Sequence, residues 1–103
     1  MASNEPTMYT HCDVVDDAGH KLGTVSDVVS DPTTLEPRWL VVDVGALRSS
    51  HYVPVTGSFR TADGRIVVPF TKESVKHAPK AHGAHVLTME DDREMLEYYS
   101  LLN

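Results

Sequence analysis

The stretch "RWLVVDVG" (38–45) constrains the fold of this chain more than any other. Its β-branched and aromatic residues favour a strand, and its terminal glycine marks where the strand stops. Side chains alternate along a strand, so Trp39, Val41 and Asp43 face one way while Leu40, Val42 and Val44 face the other. Both sets are largely apolar, which predicts a strand buried on both sides. An open flat sheet with one wet face cannot provide that environment. A small closed barrel or two packed sheets can, and closure also removes exposed edges.

The surrounding sequence supplies further short strands. "YTHCDVVD" (9–16) is followed by the turn residues "DAGH" (17–20) and then by "KLGTVSDVVSD" (21–31). The apolar spacing in the latter fits neither a period of 2 nor one of 3.6, as expected where a glycine bulge at Gly23 interrupts a strand. "HYVPVTG" (51–57) and "RIVVPF" (65–70) follow, with "TADG" (61–64) as a turn before the second. Pro54 and Pro69 cannot donate to a ladder, so each belongs at an edge, a bulge or a strand end.

The period changes after residue 70. "TKESVKHA" (71–78) predicts two helical turns capped by Thr71 and ended before Pro79. "TMEDDREMLEYYSLL" (88–102) predicts an amphipathic helix with Thr88 as N-cap, acidic residues in its first turn and an apolar stripe of Met95, Leu96, Tyr99 and Leu102. The expected layout is a flexible arm (1–8), a β domain (9–80), and a linker with a C-terminal helix (81–103).

Composition narrows the class. The chain has 103 residues and a net charge of -6, with 9 Lys and Arg against 15 Asp and Glu. That field repels a phosphate backbone, and no basic patch offsets it, so nucleic acid is not an expected partner. Cys12 is the single cysteine, which excludes an intramolecular disulfide and fits a reducing cytoplasm. The beginning "MASNEPTM" has neither charged nor apolar signal regions, and the longest run of large apolar residues, "WLVV" (39–42), is far too short for membrane insertion.

With these strands in order, the sequence resembles the PRC-barrel family, named after the H subunit of photosynthetic reaction centres and found at the C-terminus of a ribosome maturation factor. The residues that carry the resemblance are Asp16, Gly19, Leu22, Gly23 and Val25 in the order D-x-x-G-x-x-L-G-x-V, then "WLVVDVG", "VPV" and "VPFTKESVKHAP". The late "YYSLL" (98–102) is similar to the aromatic tail that follows the barrel in many stand-alone bacterial members, with Ser100 in place of their glycine. The resemblance implies a mainly β fold, a small six-stranded barrel with a short helix after its last strand, that serves in assembly and protein contacts. It brings no catalytic residues with it.

The residues themselves offer few candidates for chemistry. Gly19 and Gly23 flank Lys21, but a phosphate loop needs its lysine after the second glycine and a helix to receive the anion. Gly19 is therefore read as a turn residue and Gly23 as a bulge residue. His77, His82 and His85 could gather a transition metal, yet they lack a fourth ligand and stand beside Lys76 and Lys80. Cys12 beside His11, and Ser50 beside His51, are sequence neighbours on strands and point to opposite faces, so neither forms a nucleophile–base pair. Asp16, Asp17, Asp27 and Asp31 lack the spacing of a calcium loop. No catalytic, cofactor or metal set emerges.

The expected function is therefore a non-enzymatic interaction module, most simply a homodimer acting with an unidentified protein partner. The residues assigned to its interface are Trp39, Leu40, Val42, Tyr98, Tyr99 and Leu102. The alternatives are an RNA- or ribosome-associated factor, or an accessory barrel docked beside a membrane redox complex.

Overall fold

The structure, a computed structural model, describes residues 9–45, 49–80 and 89–100. Six strands form one sheet: β1 (Asp13–Val15), β2 (Lys21–Ser30), β3 (Pro37–Val44), β4 (Ser49–Pro54), β5 (Phe59–Arg60) and β6 (Ile66–Val67). Two helices follow, α1 (Lys72–Lys76) and α2 (Met89–Ser100). The spatial order is β4-β3-β2-β1-β6-β5, with β1 and β6 parallel and every other neighbouring pair antiparallel.

The fold is mainly β, but the sheet is not the closed barrel expected from the sequence. Among the described residues its end strands, β4 and β5, do not pair with each other. The physical reason lies in strand length. β1, β5 and β6 contain only 3, 2 and 2 residues, so that half of the sheet has too few ladder bonds to bring the ends together. The free edge of β4 is instead met by an antiparallel bridge from Lys80 to His51 and by a hydrogen bond from the Tyr99 hydroxyl to the Tyr52 carbonyl.

β3 is buried on both faces, as its composition requires. Trp39 and Val41 on one side and Leu40, Val42 and Val44 on the other all belong to one hydrophobic cluster. Burying each such side chain is worth about 1.5–3 kcal/mol, so this strand anchors the domain. Its neighbours are held in register by turn chemistry. Asp16 Oδ1 accepts from the backbone N–H of Ala18 and His20 at 2.9 and 2.8 Å, and Gly19 adopts φ 87° in the β1–β2 turn. Thr61, Asp63 and Gly64 close the β5–β6 turn in the same manner.

Gly23 lies inside β2, opposite Val14 on one side and Val44 on the other, and the β1–β2 register shifts beside it. A Cβ added there would stand 2.0 Å from the Asp43 carbonyl oxygen. Close approach of the β3 backbone therefore demands glycine. Pro54 ends β4 and Pro69 follows β6, both at positions where a missing N–H costs no ladder bond. Thr71 caps α1, its Oγ1 accepting from the Ser74 N–H at 3.1 Å.

Candidate interaction surface

α2 decides which apolar surface remains free. Met95 and Tyr99 are buried, and Tyr99 packs among Phe70, Tyr98 and Trp39 at centroid distances of 4.7, 5.1 and 6.1 Å. Its hydroxyl donates to the Tyr52 carbonyl, and burial pushes the phenol well above its usual range. Tyr98 reaches sideways, donating to the Ser74 carbonyl at 2.6 Å. The terminal helix thus docks on its own sheet, across the Trp39 side of β3.

A charged group fixes that docking. Asp92 accepts from Arg38 Nε and Nη2 at 2.8 and 2.7 Å, and from Trp39 Nε1 at 2.8 Å. The forked guanidinium holds the Asp92 carboxyl below its ordinary range, the indole N–H adds to this, and partial burial opposes both. Reciprocally, the hydrogen bond to Asp92 raises the Arg38 pKa. Asp92 lies three and seven residues before Met95 and Tyr99, in phase with the buried stripe. A carboxylate on that face needs a partner, and this phase is the signal that composition alone conceals.

Four of the six residues assigned to an interface, Trp39, Leu40, Val42 and Tyr99, lie in the chain's own core. Tyr98 is half-buried, and Leu102 lies outside the described residues. Leu96, a member of the predicted apolar stripe, is 47% exposed. Met89 is 85% exposed one helical face away from the core. Together with Val29, Pro32 and the edge of Trp39, these two side chains line an open groove of about 440 Å³ between α2 and the β2–β3 turn. Arg93 and Asp31 stand on its rim. Sequence reasoning missed this groove because it depends on the rotation of α2 that Asp92 sets.

The remaining candidates for chemistry do not converge. A polar cavity of about 710 Å³ runs past Gly23, His11, Lys21, Lys72, Ser26 and Asp43. Lys21 pairs with Asp13 at 3.4 Å, and Asp43 accepts from Ser26 and Ser50 at 3.1 and 2.6 Å. The carboxylate inside opposes an anion, and Gly19 and Gly23 lead into a strand with no helix terminus at their end. Ser50 faces Asp43, whereas His51 is buried with Nδ1 2.9 Å from the Ala78 carbonyl. Asp16 and Asp31 serve as acceptors for their own turns. His77 contacts Glu73 on α1, while His82 and His85 lie outside the described residues. Among the described residues no three metal-ligating side chains gather, and no helix is long and apolar enough to cross a membrane.

No curated protein matches the chain. The sequence profile of the PRC-barrel domain matches residues 9–75, covering the six strands and most of α1. Such domains are in general non-catalytic interaction modules. With more than half of its 103 residues matched, and with a mainly β sheet of six strands followed by the short helix that the resemblance implies, the chain belongs to the PRC-barrel family.

Proposed function

We propose that this PRC-barrel protein is a non-catalytic assembly module whose simplest assembly is a homodimer. The observation that supports this reading is the groove beside α2, where Met89 and Leu96 stay exposed although the core below them is complete. Exposed apolar side chains grouped around a concave surface and rimmed by charge are the usual mark of a protein contact. The net charge of -6 opposes nucleic acid as the partner. Cys12, the single cysteine of the sequence, suits a reducing cytoplasm as the setting.

Sedimentation equilibrium of the full chain over a wide concentration range tests the reading. A reversible monomer–dimer equilibrium is expected. A strict monomer at the highest concentration contradicts it.

A further inference from the structure

We infer that the groove beside α2 receives a basic amphipathic helix of a partner protein. The inference rests on the reading of the chain as an assembly module, goes beyond the homodimer, and commits that groove to one partner chemistry. The first ground is where the charge lies. The groove is walled by α2 on one side and by residues 31–38, the β2–β3 turn and the start of β3, on the other. These two walls carry seven acidic residues against Arg38 and Arg93, and so hold five of the six net negative charges of the chain. Asp92 is neutralised by Arg38. Glu90, Glu94 and Glu97 form no ion pair among the described residues. They share the solvent side of α2, where like charges three and four residues apart repel, and Arg93 offsets only one of them. A cationic partner relieves that repulsion.

The second ground is the apolar lining. Met89 and Leu96 lie on the flank of α2 that borders the groove, roughly a quarter turn from the buried Met95 and Tyr99 and about 10 Å apart along the axis. The facing turn carries Leu35, 73% exposed at φ 63°. Glycine or asparagine takes that conformation at lower cost, so the turn presents a leucine to solvent against its own backbone preference. Of the four large hydrophobic side chains exposed among the described residues, three thus stand on the walls of one groove.

The backbone around the groove selects a helix. β2 and β3 each pair with a strand on both sides, so neither offers a free strand edge for an extended peptide to join. A helix satisfies its own backbone N–H and C=O groups and needs only its side chains to fit. Its apolar residues at i and i+7 stand about 10 Å apart, the spacing of Met89 and Leu96. Its basic flank then lies against the acidic side of α2. An anionic surface, whether nucleic acid or membrane, meets the same field with the wrong sign.

The probe is a labelled peptide of about 18 residues, long enough to form a helix, with leucines at helical spacing and lysines elsewhere. Its companion has glutamate in place of lysine. Fluorescence anisotropy with the full chain is expected to show saturable binding of the lysine peptide and none of the glutamate peptide. Leu96→Ser is expected to raise the dissociation constant about 10-fold, Glu97→Lys about 5-fold and Met89→Ser about 3-fold. Asp17→Lys makes the same charge change at the far end of β2 and should alter it less than about 2-fold. All four residues are exposed, so the unfolding temperature should stay close to that of the parent. Failure of the lysine peptide to bind, or equal binding of both peptides, overturns the basic helix. Equal weakening by Glu97→Lys and Asp17→Lys overturns it too, as charge attraction without a site. Binding that Leu96→Ser and Met89→Ser both leave unchanged overturns the groove. Self-association in sedimentation equilibrium without peptide binding leaves the homodimer standing and removes only this inference, and peptide binding by a strict monomer does the reverse.

Discussion

β3 and α2 are both anchored in the same core, yet they are held there by different means. β3 is paired along its length on both sides, with β2 and with β4, and is apolar on both faces. α2 touches the sheet through Met95 and Tyr99, and its position is set by the polar tips of Asp92, Tyr98 and Tyr99. A backbone ladder tolerates the loss of one side chain better than a helix fixed by three hydrogen-bonding groups. The sheet should therefore outlast the helix when conditions worsen, unless the ladder itself is forced apart.

The largest effect comes from forcing it apart. Gly23→Val places side-chain atoms where the Asp43 carbonyl now lies, and β2 and β3 cannot both keep their register. A loss of about 4 kcal/mol or more is expected, a large share of the stability of a domain this size, as read by urea denaturation followed by circular dichroism. Gly19→Ala is the contrast. Its Cβ would meet nothing within 4 Å, and only the φ of 87° is strained, so about 1–2 kcal/mol is expected. Equal costs at the two glycines would show that backbone approach at Gly23 is not the controlling factor.

Asp92→Ala probes the helix. It removes the acceptor of Trp39 Nε1 and of both Arg38 nitrogens, and charged hydrogen bonds of this kind are worth about 1.5–3 kcal/mol. Trp39 is the only tryptophan, so its emission reports directly on α2 docking. A red shift with the β signal intact is expected. Simultaneous loss of both signals would mean that sheet and helix form one cooperative unit.

Acid should act in the same direction more gently. The folded-state pKa of Asp92 is depressed, first by its hydrogen bonds from Arg38. Its contribution to stability is therefore present above the unfolded carboxylate value of about 3.9 and is lost as pH falls through the lower folded value. Asp16, Asp31 and Asp63 are depressed as well, through hydrogen bonds in their own turns, so global stability falls in the same window. The Trp39 emission isolates Asp92. It should hold steady from neutrality down to that range and then shift red, whereas Asp92→Asn should show little of this transition. A shift centred near pH 6 would point to a histidine instead.

The same contrast explains what could be read in advance. "RWLVVDVG" carries its burial in its own alternation, and "TADG", Gly19 and Thr71 carry their turns and cap in local chemistry. Closure was not legible in this way, because it depends on how many ladder bonds the short strands β5 and β6 contribute. Nor was the interface. Trp39, Leu40 and Val42 read equally well as core or as contact surface until α2 is placed over β3. Leu96 shares an apolar stripe with Met95 and Tyr99 by spacing, and only the contacts of Asp92 with Arg38 and Trp39 show which part of that stripe the sheet covers.

Isotope-filtered NOE spectroscopy on a mixture of labelled and unlabelled chains tests the central claim most directly, because it separates contacts within a copy from contacts between copies. The account predicts that the Trp39–Tyr99 contact is confined to one chain. Intermolecular cross-peaks between Trp39 and Tyr99 would mean that α2 is exchanged between copies, and would contradict it.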